Sequence, residues 1–237
     1  MSIRAPARCY REAAAAPADR GFAILLDGKT VLTPARAGLV LPCGGLAEAV
    51  TEEWRAQGVK LAPATMPLTR LAYTALDRVA PQREHLAAET IRFAANDLLC
   101  YRASAPPDLA ARQSEQWNPL LDWLSETYGA RLRTGAGLAF VAQDEAALAK
   151  LREAVARLDA FALAGVQAAA ALTGSLVLAL ALHRGRVDAE AAFAAAHLDE
   201  LYQAEMWGED AEAKARLQAR ASDLRAIARF LSLLRQG

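Results

Sequence analysis

The sequence predicts an α+β protein, with a small N-terminal β-rich domain followed by a larger, mainly α-helical domain. Three observations carry this. Within the first forty-odd residues, short apolar runs alternate with turn signals, which is the grammar of strands and tight turns. From Gly44 onward, apolar residues recur at three and four, the spacing of one helix face. Alanine, the best helix former, occurs 58 times among the 237 residues.

The strand candidates are Cys9-Tyr10, Gly21 to Leu26, Thr30 to Thr33 and Leu39 to Leu41. Asp27-Gly28 separates two of them, and a two-residue turn needs the positive backbone dihedrals that Asp and Gly adopt at low cost, so a β-hairpin is expected there. A helix over Leu46 to Gln57 should stop at Gly58. The domain junction is expected in the compact stretch from Gly58 to Pro67, dividing 1–60 from 61–237. Pro67 opens a helix that runs to Val79, and Pro81 opens another that runs to about Ala95. Asn96 to Tyr101 is a short apolar passage. Pro106-Pro107 starts a helical stretch expected to break and restart at Asn118-Pro119, where Asn can cap and Pro can lead, before it stops at Gly129. Arg131 to Thr134 and Leu138 to Val141 could pair as a small hairpin over 131–141. The remaining helices are expected over 144–164, 166–183, 188–206 and 209–234, with Gly165, Gly185 and Gly208 at the joints.

Charge and composition remove several functions. With 27 basic and 27 acidic side chains, the chain lacks the net positive field that drives nucleic-acid binding. Cys9, Cys43 and Cys100 are widely spaced with no C-x-x-C pair, and His85, His183 and His197 are isolated, so no metal site is expected. Gly28-Lys29-Thr30 resembles the end of a phosphate-binding loop, but position 23 is Ala where that loop needs Gly, and no G-x-G-x-x-G follows; no cofactor is expected. Phe161 to His183 is 23 residues without a formal charge, long enough to span a bilayer. It is largely alanine, however, and is expected as a buried bundle helix, with Gly174 allowing a close crossing and with no stable membrane insertion. Arg4, Arg8 and Arg11 precede any acid, which faintly resembles a targeting segment. The start reads better as that of a cytoplasmic bacterial protein, with a mitochondrial location for a eukaryotic one.

One local asymmetry remains. Leu198 to Glu212 holds Asp199, Glu200, Glu205, Glu209, Asp210 and Glu212 without a Lys or Arg. At helical spacing Glu200, Gln203 and Trp207 share one side, while Leu198, Leu201 and Tyr202 are expected to pack inward. An aromatic beside carboxylates suits a partner-binding surface, since Trp anchors interfaces and carboxylates accept bidentate arginine contacts. Two other readings compete with it: Trp207 as core with acids solvating a helix end, and an enzyme that uses Asp199 and Glu200 in an interdomain cleft.

Several strings carry a family likeness. They are Gly21-Phe22 to Leu26-Asp27-Gly28-Lys29 with Thr33-Pro34; Glu53-Trp54 with Gln57; Met66-Pro67-Leu68-Thr69 with Asp77; Asp97 to Tyr101; Trp117 with Pro119-Leu120 and Asp122-Trp123; Gly174-Ser175-Leu176; and Leu198 to Glu200 with Gln203 and Trp207-Gly208. In this order, from about Arg8 to Leu234, the chain resembles the ATP synthase F(1)-sector assembly chaperones of the α-subunit-binding type, mitochondrial assembly factor 2 and its bacterial relatives. It departs at Tyr73, where relatives often carry Asn. The resemblance implies a non-enzymatic chaperone with no catalytic residue, which binds the free ATP synthase α subunit and holds it until the β subunit replaces the chaperone. It carries a functional role over to Glu200, with Gln203 and Trp207 added because they share its face, and implies a structural role for Trp54.

Overall fold

The computed structural model describes residues 7–137, 139–208 and 210–237. Its order is a small antiparallel sheet followed by a helical body, as the hydrophobic periodicities predict. Strand β1 (Ala13–Ala18) pairs with β2 (Gly21–Leu26), which also pairs with the short β3 (Lys29–Thr30) and β4 (Val40–Leu41). The Asp27-Gly28 turn forms as expected, with φ of 46° and 77°, and the Asp27 carboxylate accepts from the backbone amides of Arg11 and Glu12. These two amides hold the Asp27 carboxyl below its usual range. Strand β1, an alanine run containing Pro17, is absent from the expectation. Alanine has little strand preference, and here the register is imposed by β2, whose Ile24 is fully buried opposite Ala15.

The segment between the sheet and the helical body is pinned by side chains of α1 (Gly44–Arg55). Glu53 accepts hydrogen bonds from the backbone amides of Leu68 and Thr69, at 2.7 and 2.8 Å, and from the Thr69 hydroxyl. It therefore caps the start of α2 (Pro67–Thr74), whose first amides have no helical acceptor, from fifteen residues earlier in the chain. Gln57, buried, donates to Thr65 and accepts from the Ala62 amide, so it clamps the intervening loop. The chain then continues through a wide turn at Ala75–Val79 and a tight one at Ala80–Gln82 into α3 (Arg83–Ala95). Tyr73, partly buried against the sheet core, has its hydroxyl pKa pushed up to about 12 by burial and by Asp77.

In the helical body several expectations need correction. Helix α4 (Pro107–Tyr128) runs straight through Asn118-Pro119. The break expected at this pair does not occur, because Trp117, Leu120, Leu121 and Leu124 bury one continuous face and their packing outweighs the lost backbone bond. Over 131–141, Leu138 lies outside the described residues, and Arg131 to Thr134 forms no strand. Instead β6 (Gly135–Ala136) pairs in parallel with β5 (Tyr101–Arg102), and Gln143 makes the bonds to the Arg133 backbone that a second strand would have made.

The helix expected over 144–164 ends early as α5 (Glu145–Ala156), because Asp159 caps a new helix, α6 (Ala160–Thr173). The fourth correction concerns the long uncharged stretch, which is two helices. Gly174 adopts φ of 69° and ends α6, and the Ser175 hydroxyl caps α7 (Leu176–Arg184) by accepting from the Leu178 amide. Among the described residues, no helix is long and apolar enough to cross a membrane.

Gly165 lies inside α6 rather than at a joint, and it makes the close crossing expected of Gly174. A Cβ there would sit 2.5 Å from Leu231 of α10 (Ala211–Gln236), whereas one at Gly174 would meet only ordinary contact with Leu98. The span expected over 188–206 also divides, into α8 (Ala189–Ala196) and α9 (Leu198–Trp207) around His197.

Two apolar clusters result. The larger lies among the helices, and the smaller joins the sheet, α1 and α2 with Phe230 of α10. Phe230 stacks against Phe161 of α6 at 6.5 Å, which links the two cores.

Asp97 has no access to solvent. It accepts from the amides of Leu99 and Val177, and burial raises its pKa to about 6, against the opposing pull of these bonds. Its folded pKa lies above the unfolded value of 3.8, so its contribution to stability is full below that value and is lost as pH rises through about 6. In chemical denaturation, the stability of the wild type relative to Asp97→Asn should fall by about 3 kcal/mol between about pH 4 and pH 7. A pH-independent difference would show that the carboxyl does not titrate in this range. At the α6–α10 crossing, Gly165→Val should destabilise by about 2 kcal/mol through overpacking. Adding Leu231→Ala should recover part of that loss, read as a partial return of the denaturation midpoint.

Candidate functional site

Helix α9 is fastened to α4 along one face. Gln113 of α4 donates to Asp199 at 2.7 Å, the Tyr202 hydroxyl donates to Asp108 at 2.7 Å, and Arg112 grips both oxygens of Glu205 while lying over the Tyr202 ring. Residues 199, 202 and 205 are three apart, so one helical face makes all three attachments. Most of the sequence-level acidic stretch is thereby assigned. Asp199 and Glu205 hold α4, Asp210 caps α10 by accepting from the Ala213 amide, and Glu212 pairs with Arg216. Glu209 lies outside the described residues. Most of the described acids of the linear stretch thus have structural partners, of which Arg112 on Glu205 is a cation from a distant position.

The adjacent face of α9 behaves differently. Glu200, Gln203 and Trp207 line one cleft of about 520 Å³ between α9 and the first turns of α10, with Lys214, Arg216, Leu217 and Arg220 opposite. The structure therefore brings together the three residues that helical spacing placed on one side. A second cleft of about 380 Å³ shares Glu200, Gln203 and Arg220 with the first, and reaches inward to His197, Trp117 and the Thr173-Gly174 turn. The two meet at Glu200, Gln203 and Arg220 and form one groove, with Trp207 lining one end and His197 the other.

Trp207 is 76% exposed and the neighbouring Met206 55%, so Trp207 is not a core residue. Leu201, expected to pack inward, is 37% exposed; Leu198 and Tyr202 do pack inward. Attachment to α4 uses Tyr202 and the residues three positions either side of it, which turns Leu201 toward solvent.

In the sequence His197 stands beside Asp199 and Glu200 as a cluster common by chance, which carries little signal for a site. His197 is 3% exposed, tilted against the Phe193 ring at 4.6 Å, and among the described residues neither ring nitrogen has a hydrogen-bond partner. Its Nδ1 lies 3.5 Å from Glu200 Oε1, an electrostatic contact longer than a good hydrogen bond. The His197 imidazole, more than the Arg220 charge, holds the Glu200 carboxyl below its usual range.

This geometry corrects the enzyme alternative. General acid chemistry needs a carboxyl raised by burial, whereas Glu200 is lowered and half exposed, and Asp199 is committed to Gln113. The groove is lined by helices and the turn at Gly174, with no residue from the β segment, so it does not lie against the sheet. Among the described residues, no group of three or more potential metal ligands converges.

Comparison with known proteins gives consistent matches. Residues 7–125 match the family model of the ATP12 chaperone protein. The chain is 42% identical to Atp12 from Paracoccus denitrificans in a crystal structure, with a TM-score of 0.91, covering 96% of this chain and 97% of that one. A single-substitution variant of the same Paracoccus protein superposes equally well, at a TM-score of 0.91 and 41% identity over 96% of this chain and 97% of that one. The mitochondrial protein atp12 of Schizosaccharomyces pombe is 25% identical over 197 residues, 78% of this chain and 68% of its own.

The exposure of the groove separates its residues from the core in a way that thermal denaturation can check. Trp207→Ala should change stability by less than about 0.5 kcal/mol, as expected of an exposed side chain with no buried contacts. Trp117→Ala, at a buried ring whose Nε1 donates to the Ala195 carbonyl, should cost about 3–5 kcal/mol.

Proposed function

The chain belongs to the ATP12 chaperone family, whose members are ATP synthase assembly chaperones and not enzymes, and from that premise we propose that it binds the free α subunit. On this reading it holds the α subunit of the soluble catalytic sector until the β subunit takes its place. The observation that carries the proposal is the groove between α9 and α10, where an exposed tryptophan and methionine stand beside charges of both signs.

A subunit destined for an alternating ring exposes large, partly apolar surfaces while it is alone, and these invite wrong association. A chaperone must cover such a surface and still release it. An aromatic anchor flanked by half-solvated charges suits moderate affinity, because rim charges steer association more than they add binding energy. The true neighbour, which buries more area, then displaces it. In this reading Trp207 is the anchor, Glu200 receives a basic side chain of the α subunit, and Gln203 offers hydrogen bonds between them. A bacterial cytoplasm or a mitochondrion is the setting that fits such a role, since the similar proteins include one from a bacterium and one named as mitochondrial.

The test is size-exclusion chromatography of the purified protein with the free α subunit of its own organism, without nucleotide, followed by addition of the β subunit. Co-elution that the β subunit reverses is the expected result. Glu200→Lys should weaken capture at least tenfold with an unchanged melting temperature, because the side chain is half exposed. Failure of a folded α subunit to co-elute, even at high concentration, would refute the proposal.

A further inference from the structure

The inner part of the groove contains a buried group whose chemistry is incomplete. Neither nitrogen of His197 has a hydrogen-bond partner among the described residues, although the residue is only 3% exposed. Unsatisfied buried polar atoms are rare and each costs stability, so they point to something that satisfies them in the working state. Glu200 faces Nδ1, and an ionised carboxylate offers only lone pairs, so the tautomer that avoids opposed lone pairs carries its proton on Nδ1. Nε2 is then an unused acceptor. The group that completes this site is therefore a hydrogen-bond donor, and the ionised Glu200 at the rim favours one that is positively charged.

A second observation concerns the rim. Arg220 of α10 lines both parts of the groove and acts on Glu200 through its charge, but among the described residues it makes no direct hydrogen bond or ion pair. Every other arginine that meets α9 or the start of α10 is engaged: Arg112 with Glu205 and Arg216 with Glu212. Arg220 thus compensates Glu200 without being locked to it, as a cation would if it held the site in reserve.

We infer that Arg220 is a built-in competitor for Glu200, and that a basic side chain of the α subunit displaces it to reach Glu200 and the Nε2 acceptor of His197. This inference rests on the α-subunit reading above and deepens it by stating which residue opposes binding. The competition keeps affinity moderate. When the bound subunit is taken over by its true neighbour, Arg220 returns to compensate Glu200, so release leaves no uncompensated carboxylate behind.

The experiment measures affinity for the free α subunit by titration calorimetry or by retention on immobilised α subunit, using the full chain. Arg220→Gln removes the competitor from an exposed position and should tighten binding about two- to fivefold, the range expected for a solvent-exposed charge pair. His197→Phe keeps the ring and its contact with Phe193 but removes the acceptor, and should weaken binding. Because this buried substitution could also disturb the fold, its melting temperature is measured beside it, and His197→Gln, which restores a polar acceptor, should recover part of the affinity. Weaker or unchanged binding by Arg220→Gln would overturn the inference, weaker binding meaning that Arg220 is itself a contact for a partner carboxylate. Absence of binding by the wild type would instead refute the α-subunit reading from which the inference starts.

Discussion

A carboxylate sealed from water, Asp97, stands at the joint on which the helical body depends. It accepts from the Leu99 amide on one side and the Val177 amide on the other, while the Leu98 amide donates to the Gly174 carbonyl. These bonds tie the turn after α3 to the first turn of α7, a helix whose residues from Leu176 to Leu182 are almost wholly buried. A helix start in a dry environment needs acceptors for its free amides, and Asp97 with Ser175 supplies them. The same joint forms the floor of the groove, because Leu98, Thr173 and Gly174 line its inner part. The groove therefore has a rigid base, as positioned polar groups require.

Two further attachments determine the walls. One face of α9 is bound to α4 by a hydrogen bond from an amide, another from a phenol and a bidentate guanidinium, which leaves the next face free to turn toward α10. Helix α10 begins in the groove and ends in the sheet core, where Phe230 is fully buried and the Cys43 thiol donates to the Leu233 carbonyl. Its crossing with α6 is set by Gly165, at which no side chain could fit without moving Leu231. The cationic wall of the groove is thus held by contacts far from it, and the sheet and α1 anchor the same helix that carries Arg220.

The strings that carry the family likeness are mostly framework in the folded molecule. Glu53 caps α2, Gln57 clamps the loop before it, Asp27 holds a turn to the N-terminal strand, Asp97 joins two segments, and Trp117 is buried with its nitrogen bonded to Ala195. Such residues have few substitutes, since each satisfies buried backbone groups at a particular distance. The last string supplies the exposed residues of the groove, and Leu98, Trp117 and Gly174 of three other strings line its inner part. A likeness read from these motifs therefore speaks strongly about the fold and less directly about the surface that would meet a partner.

Local physics was legible in the sequence wherever an element depends on its own residues. The Asp27-Gly28 turn, the helical period after Gly44, the helix start at Asp188 and the shared face of Glu200, Gln203 and Trp207 follow from backbone preference and a fixed rise per residue. What only the tertiary structure decided depends on partners distant in the chain. The alanine strand exists because β2 imposes its register, α4 passes through Pro119 because its buried face outweighs one missing bond, and the uncharged stretch divides at Gly174 because Asp97 can cap the second half. Asp199 and Glu205 of the acidic run are held because Gln113 and Arg112 approach from α4, and Glu200 faces Arg220 because α10 lies across the groove. Sequence spacing sets which side chains share a face; the identity of the facing wall, and hence the charge and dryness of the site between them, comes from packing.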